Sequence, residues 1–174
     1  MKVVGVIQAR MGSSRLPGKV LKEVAGKPLL VHMLDRVLRS CRLDSVCLAI
    51  PIGSADDPIV DAINNRVTIY RGSEEDVLSR YLIAASGEDA DVVVRLTADC
   101  PLHDPEIIDD VVSAYNDRSH EVDYLSNTLT RTFPDGLDVE VFSFEALSRA
   151  EQEAVSPYHR EHVTPCLLYT SPSP

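Results

Sequence analysis

The sequence has 174 residues, of which 44% are hydrophobic and 25% are charged, and this balance excludes the membrane-embedded and the disordered classes. No apolar run approaches the roughly 20 residues of a membrane-spanning helix. With 27 acidic against 17 basic residues the formal net charge is −10, which argues against a general nucleic-acid-binding surface.

The N-terminus and the cysteines indicate a cytoplasmic protein. The opening stretch MKVVGVIQAR has a short apolar run that stops at glutamine and arginine, with no small-residue cleavage site, so a signal peptide is not expected. The four cysteines form no Cys-x-x-Cys pair and no zinc-like spacing, which favours reduced thiols. The length fits one domain with its own core.

Up to about residue 120 the chain alternates strand-like and helix-like segments. Four segments are near-continuous runs typical of buried parallel strands, and their sequences are KVVGVIQA, SVCLAI, VTIY and DVVVRL. Each is followed by apolar residues at helical spacing or by an Asp-Pro helix start, near Leu29, Asp57, Val77 and Asp104. Four such units predict an α/β, Rossmann-like fold with a mostly parallel sheet and helices on both faces.

The last third of the chain predicts a small appended β segment. The stretches VDYLSN and LDVEVFSF are typical of strands, and the turn-forming TRTFPDG lies between them. Helices are expected near 144–153 and 157–165. We therefore expect a domain over 1–166, followed by an irregular, Ser/Pro-rich tail over 167–174.

The loop MGSSRLPGKV follows the first strand and collects positive charge. Between residues 10 and 27, five basic residues accompany one acidic residue. The carboxyl ends of strands are where open α/β sheets bind ligands. The loop is no Walker loop, because five residues separate Gly12 from Gly18 and Val20 follows Lys19. It also lacks the Gly-x-Gly-x-x-Gly of a dinucleotide site.

The composition of this loop suggests another way to hold phosphate. Gly12, Ser13 and Ser14 offer unshielded amides and small hydroxyls. Arg15 can engage two phosphate oxygens with its planar fork, and Lys19 adds a movable point charge. The alternative is a flexible surface loop with incidental charge, because Gly, Ser and Pro are common in loops without any ligand.

A second candidate site follows the fourth strand in the stretch RLTADCPLHDP. Asp99 stands at the carboxyl end of that strand, on the edge where the first loop also lies. Magnesium on a nucleotide is held by one or two carboxylates plus phosphate oxygens, which fits a single aspartate. The alternative is an Asx-type turn, with Asp104 capping the next helix.

The stretch IQARMGSSRLPGKVLKEVAGKPLL resembles the nucleotidyltransferase signature of the sugar-acid cytidylyltransferases. That family includes the 3-deoxy-manno-octulosonate and acylneuraminate cytidylyltransferases, and the similarity is greatest to its spore-coat polysaccharide branch. It runs from residue 3 to about 166. The resemblance implies a nucleotidyltransferase sandwich in which Arg15 and Lys19 grip the triphosphate of CTP. It also implies that Gln8, Ala9 and Arg10 lie near the nucleotide, with Gly18 in the same loop.

The resemblance assigns further residues. It implies Mg²⁺ at Asp99, with Thr97 near the substrates. It implies that Ser73 and Asp76, in RGSEEDVLSRY, face the base and ribose, although a capping box accounts equally well for both residues.

The appended β segment and the helix after it carry the acceptor candidates. Asp138 and Glu140 alternate with apolar residues, so they are expected to share one face of a strand. The resemblance places that strand near the acceptor sugar; the alternative is a solvated edge. His159 and His162 have no third ligand nearby, which favours a helix surface over a metal site. Arg160 is a candidate for an acidic sugar's carboxylate.

Together these features predict transfer of CMP from CTP to a sugar, preferably a sugar acid, with release of pyrophosphate, for surface polysaccharide synthesis. The expected partners are CTP and the sugar or sugar acid, with no nucleic acid and no membrane. A homodimer is an assembly that the sequence allows. The expected cofactor is Mg²⁺.

One departure from the family leaves other functions open. Its members continue past this length, and a later aspartate in a VDTPED-like stretch supplies a second metal ligand, so we expect an incomplete domain. One alternative is therefore a truncated or non-catalytic nucleotide-binding domain. Another is a nucleotide-sugar glycosyltransferase of similar fold, but its usual Asp-x-Asp motif is missing, because the stretch is ADC.

Overall fold

The computed structural model describes residues 1–13 and 16–170, and over these residues the chain forms eight strands, seven α-helices and two short 3₁₀ helices, Lys19–Leu21 and Ser54–Asp56. The strands are β1 (Val3–Gln8), β2 (Glu23–Val24), β3 (Lys27–Pro28), β4 (Ser45–Pro51), β5 (Thr68–Gly72), β6 (Val92–Thr97), β7 (Tyr124–Ser126) and β8 (Glu140–Ser143). The helices are α1 (Leu29–Val37), α2 (Asp57–Ile63), α3 (Val77–Gly87), α4 (Pro105–Arg118), α5 (Phe144–Glu153), α6 (Pro157–His162) and α7 (Thr164–Thr170).

Six of the strands form one sheet in the order β5-β4-β1-β6-β8-β7. The first four are parallel, whereas β8 is antiparallel to β6 and β7 is antiparallel to β8. The two short strands β2 and β3 form a separate hairpin. This arrangement confirms the predicted mostly parallel sheet with a small appended β segment.

Helices cover both faces of the sheet, as the apolar strands predicted. Side chains alternate along β1, so that Val3 and Ile7 join one core cluster while Val4 and Val6 join the other. The first cluster lies under α1, α2 and α4, and the second lies under α3, α5 and α7. Burial on both faces is why these strands are apolar without polar alternation.

The order of the parallel strands reverses beside β1. The chain moves from β1 to β4 and β5 on one side and then returns to β6 on the other side. Gln8 and Thr97, the last residues of β1 and β6, are neighbours in the ladder, so the loops that follow them leave the same edge together. Open α/β sheets bind ligands in the crevice at such a reversal.

Aspartates cap the N-termini of α3 and α4. The Asp104 side chain accepts a hydrogen bond from the Glu106 amide at 2.9 Å, which confirms its predicted capping role. Asp76 accepts one from the Ser79 amide at 2.9 Å, so the N-cap of α3 is Asp76 and the box predicted with Ser73 as N-cap is wrong. The Ser73 hydroxyl instead accepts from the Asp76 amide at 3.2 Å.

Two further predictions need correction. Asp138 does not share a strand face with Glu140, because β8 begins only at Glu140. The Asn127 side chain bonds the Leu137 carbonyl and the Val139 amide just before the strand. The tail predicted as irregular from 167 is helical as far as residue 170, since Cys166 and Leu167 are buried in the second core cluster. Residues 171–174 lie outside the described part.

The four cysteines form no disulfide with one another, and Cys47 and Cys166 are buried. The reduced state of their thiols stays a prediction. Over the described residues, none of the helices combines the length and the apolar character needed to cross a membrane.

Candidate functional site

Two cavities meet in the crevice between the ends of β1 and β6. The loop cavity, of about 490 Å³, lies between the loop after β1, the start of α3 and the end of α6. The hairpin cavity, of about 600 Å³, lies beside the connection between β7 and β8 and the first residue of β8, Glu140. The side chains that line both cavities are Lys19, Arg95, Thr97 and Asp99.

In the loop after β1, a backbone hydrogen bond joins residues near its two ends. The Gly18 amide donates to the Met11 carbonyl at 3.0 Å, and Gly18 has φ +66°, a conformation that suits glycine. The buried carboxylate of Asp56 accepts from the Met11 amide at 2.7 Å. Five of the residues predicted for nucleotide binding line the loop cavity: Gln8, Ala9, Arg10, Gly12 and Ser13. Ser14 and Arg15 lie outside the described residues.

Lys19 and Asp99 come together where the two cavities join. The Lys19 Nζ and Asp99 Oδ2 atoms are 3.4 Å apart. Burial alone would raise the pKa of the Asp99 carboxyl, but the Thr97 hydroxyl and the Lys19 ammonium together hold that pKa below its usual value. Asp99 is therefore ionised at neutral pH, and its side chain is about half exposed to the cavities.

Arg80 is a site residue that the sequence analysis missed. It lines the loop cavity from the first turn of α3 and is only 2% exposed, yet its Nε and Nη1 atoms have no hydrogen-bond partner among the described residues. Burial lowers the pKa of its guanidinium, and nearby Arg10 adds to that effect. Gly72 makes room for it, because a Cβ there would lie 2.6 Å from Arg80 Cγ.

Arg95 lines both cavities and was also missed. Its Nη1 donates to the Glu140 carboxylate, and its Nη2 lies 3.5 Å from Gln8 Oε1, while its buried Nε has no partner among the described residues. Tyr124 donates to the other Glu140 oxygen at 2.8 Å. A cation inside the apolar strand DVVVRLT is the signal that would have found it. Glu140, predicted to bind hydroxyls, thus already has two protein partners.

Cys100 lines the hairpin cavity beside Asp99. Burial raises the pKa of its thiol, and the nearby carboxylates of Asp99 and Asp138 act in the same direction. The thiol therefore stays protonated at neutral pH and is a poor nucleophile.

Four predicted site residues are absent from the linings of both cavities as the structure describes them: Gly18, Ser73, Asp76 and Arg160. Gly18 shapes the turn of the loop after β1, and the other three lie elsewhere. Arg160 donates to the Asp76 carboxylate at 2.8 Å and to Glu151 Oε1 at 3.0 Å, so its charge is already matched. The Asp76 carboxylate is occupied by that pair and by the cap of α3.

The histidines of α6 form no metal site. Over the described residues, no group of three or more His, Cys, Asp or Glu side chains could hold a metal ion. The exposed ring of His162 lies against Tyr158, with centroids 4.5 Å apart, and it borders the loop cavity. A metal in the crevice would therefore rely on Asp99 and on oxygens that a ligand brings with it.

The two cavities differ in charge. The described lining of the loop cavity has four cations, Arg10, Lys19, Arg80 and Arg95, against the carboxylates of Asp99 and Glu161. The hairpin cavity has three cations against four carboxylates. In a protein with a net charge of −10, the first cavity is suited to a polyanion and the second is not.

Comparison with known proteins places the chain in a family. The match to the family described as Cytidylyltransferase covers residues 4–170. The spore coat polysaccharide biosynthesis protein SpsF of Bacillus subtilis is 34% identical over 170 residues, which are 92% of this chain and 70% of that protein. The 3-deoxy-manno-octulosonate cytidylyltransferase of Solibacter usitatus is 33% identical over 141 residues, 79% of this chain and 53% of that enzyme.

A solved structure supports the same family. A cytidylyltransferase from Leptospira borgpetersenii superposes with a TM-score of 0.92 at 37% identity, covering 98% of this chain and 72% of that one. The fold, the crevice at the strand reversal and these matches lead to one assignment. The chain belongs to the cytidylyltransferase family and is thereby a nucleotidyltransferase.

Proposed function

We propose that this chain transfers CMP from CTP to a sugar acid, with release of pyrophosphate, for the synthesis of a surface polysaccharide. The observation that carries the proposal is the Lys19–Asp99 pair, at 3.4 Å, where a cationic cavity joins a second cavity. A triphosphate in the loop cavity and a sugar in the hairpin cavity would meet at that pair. The names of the relatives support a sugar acid as acceptor and a polysaccharide as destination.

The residues at the junction fit a magnesium ion. Asp99 is ionised and partly exposed. Among the described residues, Lys19 is the one cation that hydrogen-bonds to it. Magnesium on a nucleotide needs one or two carboxylates, because phosphate oxygens and waters complete its shell. When bound, it would lower the charge on the phosphate oxygens and the leaving pyrophosphate.

The chain's own residues act by position and charge. A sugar hydroxyl attacks the α-phosphorus in line, the new phosphorus–oxygen bond forms, and the bond to pyrophosphate breaks. Arg10, Lys19 and Arg80 would hold the triphosphate and neutralise the leaving group. No covalent enzyme intermediate is required, and the protonated thiol of Cys100 supports a direct transfer. Arg15, outside the described residues, stays a proposed ligand of the triphosphate.

We propose a cytoplasmic location, because disulfides are rare there and the four cysteines form none with one another. The homodimer and the lack of nucleic-acid partners stay predictions.

Pyrophosphate release tests the proposal. We expect release from CTP with magnesium and a sugar acid, at least tenfold faster than from ATP, GTP or UTP and absent without magnesium. A neutral sugar preferred over every sugar acid would contradict the proposed acceptor. CTP binding by calorimetry without any pyrophosphate release would select the alternative, a non-catalytic nucleotide-binding domain.

A further inference from the structure

Arg131 lines the hairpin cavity and is engaged through its two terminal nitrogens. Its Nη1 donates to Asp135 Oδ1 at 3.1 Å and lies 3.4 Å from Asp138 Oδ1, while its Nη2 donates to Asp138 Oδ2 at 3.3 Å. All three side chains line the cavity. We call this group the Arg131 cluster.

The unused donors of Arg131 form a second fork. A guanidinium has five N–H groups in one plane, and three of them are used in the cluster. The remaining two, on Nε and Nη2, point the same way from the side edge of the plane. No described residue accepts a hydrogen bond from Nε, and about half of the Arg131 side chain is exposed to the cavity and solvent.

The charge of the cluster disfavours a carboxylate in that fork. One guanidinium faces two carboxylates, so the group is already net negative. A third carboxylate would be repelled by Asp135 and Asp138 at close range. Hydroxyl groups suit the cluster better, since a hydroxyl is uncharged, accepts from a guanidinium N–H and still carries a proton to donate to a carboxylate oxygen.

The backbone around the cluster is held by a separate clamp. Asn127 Nδ2 donates to the Leu137 carbonyl at 2.8 Å, and Asn127 Oδ1 accepts from the Val139 amide at 2.9 Å. This clamp joins the two ends of the connection between β7 and β8. It holds the backbone of Asp138 from the residue on either side, so this aspartate is positioned before a ligand arrives.

We propose that the Arg131 cluster binds neighbouring hydroxyl groups of the acceptor sugar and not its carboxylate, an inference that rests on the proposed function. The loop cavity receives the nucleotide, and the cluster selects a polyhydroxylated acceptor by paired donors and acceptors. Arg131 is thus a specificity-determining residue that contacts the part of the sugar remote from the reacting hydroxyl.

Equilibrium binding tests this with two probes, 3-deoxy-manno-octulosonate and its neutral methyl ester. Each is titrated alone and with a non-transferable α,β-methylene analogue of CTP plus magnesium. The wild-type protein is expected to bind both probes with dissociation constants within threefold of each other. Arg131→Gln and Asp138→Asn are each expected to weaken both probes at least tenfold, without changing the affinity for the CTP analogue.

Two controls separate recognition from folding. Arg118→Gln removes an exposed arginine of α4 that pairs with Glu121, and it is expected to change neither affinity. Arg131→Lys keeps the charge but cannot present two parallel donors, so it is expected to stay at least fivefold weaker than the wild type. Unchanged melting temperatures in Arg131→Gln and Arg131→Lys would show that the loss is local.

The outcomes decide between the readings. An unchanged probe affinity in Arg131→Gln overturns the proposal. A loss for the acid but not for the ester overturns it as well, because the fork would then be a carboxylate receptor. A wild-type protein that binds neither probe also contradicts it. Failure to bind the CTP analogue would instead refute the proposed function, and the titrations without nucleotide would still decide the role of Arg131.

Discussion

Lys19 and Asp99 are 80 residues apart in sequence, and only the reversal of strand order beside β1 brings them to 3.4 Å. Taken alone, Lys19 could be an incidental charge of a surface loop, and Asp99 could serve only to form a turn. Their contact at the junction of two cavities is what gives them a shared role. Lys19 is the more informative of the two to remove, because its charge has no structural partner but Asp99 among the described residues.

We expect Lys19→Ala to slow turnover about a hundredfold or more, because losing one preorganised donor to the leaving pyrophosphate costs on the order of 3 kcal/mol in the transition state. The measurement is pyrophosphate release from CTP at saturating sugar acid. Lys22→Ala is the matched control, since Lys22 is an exposed lysine of the same segment that lines neither cavity. Equal rates in the two variants would refute the role of Lys19.

Replacing Arg80 is expected to change stability and CTP binding in opposite directions. A buried guanidinium with unpartnered Nε and Nη1 atoms costs free energy in the unliganded protein. Arg80→Met is therefore expected to raise the free energy of unfolding by about 1 kcal/mol and to weaken CTP binding at least tenfold. Urea unfolding and calorimetry measure the two effects. A variant that is less stable and binds CTP normally would show that Arg80 is structural.

At the scale of elements, Arg160 ties α6 to α5 and to the start of α3. Besides the Asp76 and Glu151 carboxylates, its guanidinium donates to the Glu151 carbonyl at 2.6 Å and to the Ala154 carbonyl at 2.9 Å. Through α6 these bonds position one wall of the loop cavity. The sequence suggested a sugar-acid ligand here, because nothing in PYHREH shows that Asp76 lies beside it.

We expect Arg160→Ala to lower the free energy of unfolding by about 2 kcal/mol, since several charge-assisted hydrogen bonds are lost, while the KM for the sugar acid changes less than twofold. Arg149→Ala is the control: Arg149 makes one exposed pair with Asp123, and its removal is expected to cost less than about 1 kcal/mol. A large rise in the sugar KM with unchanged stability would instead support Arg160 as a substrate ligand.

Local sequence patterns predicted most helices and strands well, but they predicted the contacts of the site residues poorly. Asp104 before Pro105 correctly marks the start of α4, because the cap depends on residues next to it. The start of β8 was misplaced, because the Asn127 side chain, 10 to 12 residues away in sequence, bonds the Leu137 carbonyl and the Val139 amide just before the strand. Arg80 and Arg131 were missed for the same reason, because each becomes a site residue only through what the fold places around it. Arg95 was missed although its position inside an apolar strand is a local signal.

For the whole molecule, His103 makes stability depend on pH. Its ring is fully buried with no partner for either nitrogen among the described residues, and burial lowers its pKa to about 4. In the unfolded chain the His103 ring is protonated as the pH falls through about 6.5, whereas in the folded chain it is protonated only near pH 4. Stability is therefore complete above about pH 6.5 and falls as the pH drops toward 4.

We expect the wild-type protein to lose about 2 kcal/mol of unfolding free energy between pH 8 and pH 5 through this residue. Urea unfolding of His103→Leu at both pH values is expected to show a loss smaller by that amount. His120→Leu, which removes an exposed histidine, should keep the wild-type dependence. Identical pH profiles for His103→Leu and the wild type would contradict the account.

The central claim is that the crevice beside β1 transfers CMP, and the fate of the α-phosphorus tests it most directly. With CTP labelled at that atom, magnesium and a sugar acid, we expect the label to appear in the sugar, in equal amount to pyrophosphate, and to be lost in Asp99→Asn. Label that stays in CTP, or that appears only as free CMP, would contradict the account.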